Sequence, residues 1–312
     1  MKKVSVIIPC FNATKYLPKC FMSLVQQTIG IDQIELIFVD DASTDEDATW
    51  NMLQEFERAY PESIMILKLE ENMRQGGARN VALQYATGEY IAFVDADDFV
   101  SENFLLETYE KAKESDADII QFEYFYYTDR LGAVDSGRNI TPEVIEISSV
   151  SDRKRFLISE KVTYGCWNKL YRHTLLNEAH TAYAEHVIYE EPLFVYPLLY
   201  FANKIVILND AYYYYRQNDS GTMRNDMRQE ETLKMHADVQ LAVWNFMKKT
   251  PFFKEYYDEI KLYFLHTYLY ETLYFAKLRD FKPSYAFYKE LEKTVLAEVP
   301  DYAQSTYSAL IP

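Results

Sequence analysis

The sequence predicts an α/β fold with a mostly parallel sheet flanked by helices, followed by a C-terminal helical subdomain. Three observations predict it. From the N-terminus to about residue 122, apolar runs of strand length alternate with segments of helical period, the βαβα pattern that builds a parallel sheet covered on both faces. Acidic, amide and aromatic residues gather just after the strands, where such sheets bind their ligands. After about residue 230 the period becomes helical and stays so.

The elements can be read in order. "KVSVIIP" (3 to 9) is β-branched and apolar, as a buried strand should be, and residues 14 to 27 put Leu17, Cys20, Phe21, Leu24 and Val25 on one helical face. "IELIFVD" (34 to 40) is a second strand. "ASTDED" follows it, with Ser43 or Thr44 as the expected cap of a helix through Trp50, Leu53 and Phe56. "SIMILKL" (63 to 69), "EYIAFVD" (89 to 95) and "DADIIQF" (116 to 122) supply three more strands, separated by helices at about 77 to 86 and 102 to 115.

The fourth strand ends in "DADD", so Asp95, Asp97 and Asp98 crowd together. Carboxylates this close repel one another, and burying one without a partner is costly, so a counter-cation is the simplest resolution. Asp40 and Asp41 end the second strand, and "CFN" (10 to 12) follows the first. Singly, each acid is more simply a helix cap or a solvated turn; three strand ends converging on one crevice are not. A dinucleotide fold is excluded because "PCFNATKY" has no glycine after the first strand, and no phosphate loop of the NTPase kind occurs. The paired glycines of "RQGGARN" (74 to 80) read as a tight turn into a helix or as a close backbone approach that holds Arg79 near a phosphate or the acids.

Composition limits the function. The chain has 312 residues, 28 of them Tyr and 19 Phe, ample for one large domain with a helical extension or for two domains. A formal charge of −16 argues against a nucleic-acid partner and against electrostatic adhesion to anionic lipid. Cys10, Cys20 and Cys166 form no close pair, and no signal-like or long apolar span occurs. The reading is therefore a cytoplasmic protein with reduced thiols and no transmembrane segment.

"VSVIIPCFN", "VDDASTD", "GGARNVAL", "ATGEYIAFVDADD", "WNKLYR", "EEPLF" and "YYYYRQN" stand in the order and spacing of family 2 glycosyltransferases, and the chain resembles that family over roughly residues 1 to 220. The resemblance implies a GT-A (Rossmann-like) catalytic domain over 1 to 225 and leaves 226 to 312 as the helical subdomain. It implies a UDP-sugar donor whose uracil stacks on Phe11 and whose imide N–H is received by Asp41, with Asp40 as a second candidate. Asp95 and Asp97 match the two acids of a DxD motif that holds Mn²⁺ or Mg²⁺ against the diphosphate. Pro9, Asn12, Arg79, Asn80 and Ala96 are placed in the donor site. Asp98 is expected to assist the acids or to cap the next helix. Where the family writes Glu-Asp, this chain has Glu190-Glu191, so Glu191 stands at the position of the catalytic base on an arm one methylene longer.

"TYGCWNKLYRH" (163 to 173) is similar to the family stretch that follows the sheet and closes over the acceptor side; Trp167 is a sugar platform or a core residue. Arg216 is a candidate diphosphate contact, whereas Gln217 and Asn218 stand where relatives carry a basic residue or histidine. His186 lies near the base and reads as an ordinary surface histidine. The aromatic helix over 256 to 278 is apolar on more than one face, so it should pack on the catalytic domain or in a homodimer. A membrane-surface role fits poorly, because acids are mixed into its polar face.

The expected function is metal-assisted, inverting transfer of a sugar to a glycan or lipid-linked glycan acceptor in cell-surface polysaccharide synthesis. The expected location is the cytoplasm, with peripheral association at the inner face of the cell membrane as the alternative. The rivals are a non-catalytic nucleotide-sugar-binding partner subunit and a sugar-1-phosphate nucleotidyltransferase, which would need a glycine-rich basic loop where "PCFNATKY" stands.

Overall fold

The structure, a computed structural model, describes residues 2–217, 230–278 and 280–302. Ten strands form one sheet: β1 (Val4–Cys10), β2 (Ile34–Asp40), β3 (Ile64–Lys68), β4 (Tyr90–Phe93), β5 (Phe99–Val100), β6 (Ile119–Thr128), β7 (Gly132–Asp135), β8 (Glu143–Glu146), β9 (Lys169–Arg172) and β10 (Lys204–Arg216). The main path runs β3-β2-β1-β4-β9-β6-β10-β5, with β7 paired to β6 and β8 to β10.

The expected parallel arrangement holds for β3, β2, β1 and β4, and again for β6 with β10. Between these two blocks β9 runs antiparallel to both β4 and β6, so the sheet is mixed. "KLYR" therefore does not follow the sheet; it lies inside it. A four-residue strand with only Leu170 and Tyr171 apolar, between Lys169 and Arg172, gives little periodicity to read. Alternation along β1 explains the two cores: Val4, Val6 and Ile8 join one apolar cluster, while Ile7 joins the other through Ile37, Phe93 and Ile119.

Helix α1 (Leu17–Val25) buries Leu17, Cys20, Phe21 and Leu24 as the pattern requires. α2 (Ala48–Ala59) begins later than the "ST" cap predicts, after Asp47 in a left-handed conformation and without a side-chain cap. Ser43 and Thr44 are engaged elsewhere, by Asn12 of the first strand end: the Asn12 backbone N–H donates to Ser43 Oγ (2.9 Å), and Asn12 Oδ1 accepts from the Thr44 N–H (2.8 Å). α3 (Arg74–Leu83), α4 (Phe104–Ser115), α5 (Val150–Leu157), α6 (His173–Ala179) and α7 (Glu191–Phe201) complete the layers.

The C-terminal helices are Glu230–Met247, Tyr257–Phe264, Thr272–Leu278 and Tyr285–Glu298, the second and third joined by a π-helical segment, Leu265–Glu271. Leu233, Trp244, Phe264 and Leu291 belong to the same buried cluster as Phe93 of β4 and Phe194 of α7. These helices thus pack on the sheet domain through one continuous core. The expected boundary near residue 225 lies outside the described residues.

Trp244 is 2% exposed and its indole N–H donates to Glu298 (2.8 Å). Trp244→Ala should cost about 3–5 kcal/mol and lower the urea midpoint of a single unfolding transition. Two transitions, only one of them shifted, would instead show that the helices fold apart from the sheet.

Candidate active site

The carboxyl ends of β1, β2 and β4 converge, and their loops carry the polar residues. After β1, which contains buried Pro9, the chain exposes Phe11 (47%) and turns through Asn12 at φ 49°. Phe11 is therefore not a core residue. Beside it lies a cleft of about 630 Å³ lined by Ala42, Ser43, Lys68, Leu69 and Glu70. Asp40 and Asp41 at the end of β2 are both buried. Asp40 Oδ1 accepts the Ser43 N–H (3.0 Å), while its Oδ2 has no hydrogen-bond partner. Asp41 accepts the Met73 N–H (2.7 Å), and burial pushes its carboxyl up to about 6 against the pull of the Met73 and Arg74 N–H groups, with Asp40 adding to the rise.

At the end of β4 the three acids are sorted by environment. Asp95 and Asp97 stay half-exposed, Ala96 between them is buried, and Asp98 is 2% exposed. Asp98 caps no helix: Asn103 precedes α4. Instead Asp98 accepts from the Tyr213 hydroxyl (2.7 Å) and the Arg216 N–H (2.6 Å), and burial, then Asp97 and Asp95, hold it well above the usual carboxylate range. The Tyr213 hydroxyl also accepts the Asp95 N–H (3.1 Å), so one tyrosine braces both ends of the motif. The Arg216 guanidinium donates to the Asp97 carbonyl (2.7 Å) and pairs with Asp129 (2.6 Å), which occupies the group expected to meet a diphosphate. Gln217 donates its N–H to Tyr127, and Asn218 lies outside the described residues.

Arg79 links these acids to the rest of the site. Its guanidinium is buried and bridges Asp95 (2.6 Å) and Glu190 (2.5 Å). Such proximity requires α3 to press against the loop before α7, and Gly76 permits it: a Cβ there would overlap the Ala184 carbonyl and come 3.0 Å from Glu190 Cβ. Asn80, one residue on, spends its amide on the same loop, donating to the Tyr183 carbonyl (3.0 Å) and Glu185 (3.0 Å) and accepting the Tyr183 N–H (2.8 Å). His186 and Tyr189 in that loop have φ of 59° and 67°, strain concentrated directly before the acid pair.

The two glutamates then separate in role. Glu190 faces Arg79. Glu191, at the first turn of α7, is half-buried and accepts the Cys166 N–H (2.7 Å). Burial raises its pKa to about 7, Glu190 adds to the rise, and Arg79 and the Cys166 N–H oppose it. Behind the Cys166 loop, Lys169 is fully buried; its ammonium donates to Gly165 O (2.5 Å), Asn168 Oδ1 (2.8 Å) and Thr163 Oγ1 (3.0 Å), and burial lowers its pKa to about 7. Sequence reasoning named Glu190 beside Glu191 but not its pairing with Arg79, and it missed Lys169 and Tyr213.

Among the described residues no three or more His, Cys, Asp or Glu side chains are grouped to hold a metal by themselves. Asp95 and Asp97 offer hard oxygen donors at the open side of the strand end. That set fits an ion such as Mg²⁺, which keeps waters and takes phosphate oxygens to complete its shell.

A sheet of this order, with acids at the ends of β2 and β4 and an acid pair opening α7, defines a GT-A glycosyltransferase fold. Residues 5–179 match the profile of "Glycosyl transferase family 2", and the chain belongs to that family. It is 31% identical over 240 residues to glycosyltransferase GlyG of Streptococcus pneumoniae serotype 4, spanning 72% of this chain and 73% of GlyG. It is 30% identical over 223 residues to the poly(ribitol-phosphate) β-N-acetylglucosaminyltransferase TarS of Staphylococcus aureus, covering 71% of this chain but only 36% of TarS. The crystal structure of S. aureus TarS 1-349 in complex with UDP superposes with a TM-score of 0.70 at 22% identity, over 97% of this chain and 81% of that one, which establishes the shared fold.

Removing one partner of a buried charge pair leaves the others uncompensated. Arg79→Met should therefore destabilise the protein by about 3–5 kcal/mol in urea titration. A loss below about 1 kcal/mol would mean that Asp95 and Glu190 are adequately solvated without it.

Proposed function

We propose that this chain transfers a hexose from a UDP-sugar to a hydroxyl of a glycan acceptor by a single inverting displacement, in the assembly of a cell-surface polymer. One observation carries the reading: the Arg79 bridge sets the β4 acids and the Glu190–Glu191 pair on either side of one buried guanidinium, and Glu191 has a pKa of about 7. A general base works best with a pKa near the ambient pH. The names of GlyG and TarS, both glycosyltransferases, support the same reading.

Phe11 presents an open ring for the uracil, and Asp41 lies beside the cleft with a carboxyl that can receive the imide N–H. Asp97, with Asp95, would hold Mn²⁺ or Mg²⁺, which when bound supplies charge to stabilise the departing diphosphate. Glu191 takes the proton of the acceptor hydroxyl as its oxygen bonds to the anomeric carbon and the bond to the UDP oxygen breaks. The Cys166 N–H fixes one oxygen of that carboxylate. Arg79 pairs with Glu190, and the charge of Glu190 adds to the rise in the Glu191 pKa. No described helix is long and apolar enough to cross a membrane, and lipid-linked acceptors would be met from the membrane surface.

A screen of nucleotide-sugars with Mn²⁺, reading UDP release and thermal shift together, tests the class; wild type that binds UDP but never turns over would favour the non-catalytic binding subunit. In calorimetry, UDP affinity should fall at least tenfold with chelator, about 1.4 kcal/mol, and again in Phe11→Ala without loss of fold. It should also weaken as pH falls through about 6, because protonation turns one Asp41 oxygen into a donor while the other is engaged by the Met73 N–H. Equal affinity with and without chelator would remove the metal from the mechanism.

Glu191→Gln should keep donor affinity and lower turnover by roughly 10²- to 10⁴-fold, the usual span for a lost base. The wild-type rate should rise with pH and level off above about 7, since only the deprotonated carboxylate accepts a proton. A Gln variant with the wild-type rate and the same pH profile would place the base elsewhere.

A further inference from the structure

The ends of β6 and β10 carry a row of aromatic rings packed on one another. In their parallel register Tyr213 pairs with Tyr124 and Tyr215 with Tyr126, so these four share one face of the sheet. Trp167, from the loop that holds Glu191, lies on them: it stacks on Tyr215 (5.3 Å between centroids, 19°), tilts over Tyr213 (4.7 Å) and meets Tyr124 edge-on (4.8 Å). Tyr126 continues the row, 5.4 Å from Tyr124. Burial declines outward: Tyr213 is fully buried, Trp167, Tyr215 and Tyr124 are half-buried, and Tyr126 is 38% exposed.

The opposite face of the same strand pair is a useful contrast. There Tyr127 of β6, together with Phe99 of the neighbouring β5, is covered by the Lys19 ammonium at 3.9 and 3.6 Å, and Arg216 lies 4.9 Å from Tyr127. Those rings already have partners. The Trp167 row instead runs from the reaction centre outward. Its inner end is Tyr213, which braces Asp95 and Asp98, and Trp167 directly follows Cys166, the residue that donates to Glu191. Burial and the surrounding acids, Asp98, Asp95, Asp97 and Glu191, also push the Tyr215 hydroxyl up. A ladder of rings leading away from a sugar-transfer centre suits the flat C–H faces of successive pyranose rings, which are apolar, while the tyrosine hydroxyls can hydrogen-bond the rims.

We propose that Trp167, Tyr215, Tyr124 and Tyr126 form an extended acceptor subsite that stacks pyranose rings of a glycan behind the sugar being extended. The inference rests on the transferase reading above. It selects a ring-containing acceptor over an open-chain polyol phosphate, which has no flat face to stack.

The test is titration of the UDP-loaded protein with cellotetraose and, separately, with ribitol 5-phosphate, followed by tryptophan fluorescence and saturation-transfer NMR. Cellotetraose should bind, with saturation transfer concentrated on its ring C–H protons. Tyr126→Ala should weaken it about tenfold, Tyr126→Phe should restore it, and the double variant Tyr124→Ala/Tyr126→Ala should abolish it. UDP affinity, measured in parallel, reports that each variant is folded. Binding of ribitol 5-phosphate alone, no binding of either compound, or cellotetraose affinity indifferent to Tyr126→Ala would overturn the subsite. Acceptor-free hydrolysis of UDP-sugars by wild type separates the two readings: cellotetraose bound at these rings with no donor ever hydrolysed leaves the subsite standing and removes the transferase, whereas hydrolysis without tyrosine-dependent binding does the reverse.

Discussion

The buried guanidinium of Arg79 is the interaction on which the site depends. It is 2% exposed, and a charge that deep persists only where anions compensate it. Asp95 and Glu190 do so from two elements that are 95 residues apart in sequence, the end of β4 and the start of α7. Attraction alone would not bring those elements together, because desolvating three ionic groups roughly cancels it. Apolar packing does that work: Phe93 of β4 meets Phe194 of α7 edge-on at 5.5 Å, and Tyr183 stacks on Phe194 at 4.1 Å. The ion pairs then fix the angle at which the packed elements meet.

The same division between apolar placement and polar specification explains which parts were legible in the sequence. β1 and β2 could be read nearly to the residue, since each is a long β-branched run buried on both faces. The strand-end acids were legible because they recur at several strand ends that a parallel sheet brings to one crevice, although each alone reads as a cap or a turn. The Ser43 and Thr44 cap failed for a reason local sequence cannot carry: both residues are satisfied by Asn12, 31 and 32 residues away. The start of α3 was read three residues late, because paired glycines signal a turn, whereas here Gly76 and Gly77 lie in the helix and serve its close approach to the Glu190 loop. "EE" could not say which glutamate faces the arginine. That distinction exists only once α7 has a neighbour.

The sites of strain and of uncompensated polarity lie together. Ala42, Arg74, His186 and Tyr189 all adopt positive φ, and each borders the strand ends or the loop before α7. Asp40 Oδ2 and Arg79 Nε, both buried, lack hydrogen-bond partners. Positive φ also occurs away from the site, at Asp116, Glu160 and Asp280, so what marks the strand ends is that strain and unpartnered buried polar atoms occur there side by side.

Glu191 shows how opposing effects set one property. It sits in the first turn of α7, where the helix dipole favours the anion by about 0.3–1 kcal/mol, less than one pKa unit at 1.36 kcal/mol per unit. The Cys166 N–H pulls in the same direction. Desolvation can move a buried carboxyl by several units the other way, and Glu190 adds a like charge beside it. Burial and Glu190 prevail, and the pKa is pushed up to about 7. An aspartate on the same backbone would end one methylene nearer the helix, closer to the dipole and farther from the Cys166 loop, so the longer arm reaches the hydrogen bond that fixes the carboxylate. The glutamate is thus matched to the position of the Cys166 loop, and that loop is in turn set by the buried Lys169 ammonium bound to Gly165, Thr163 and Asn168.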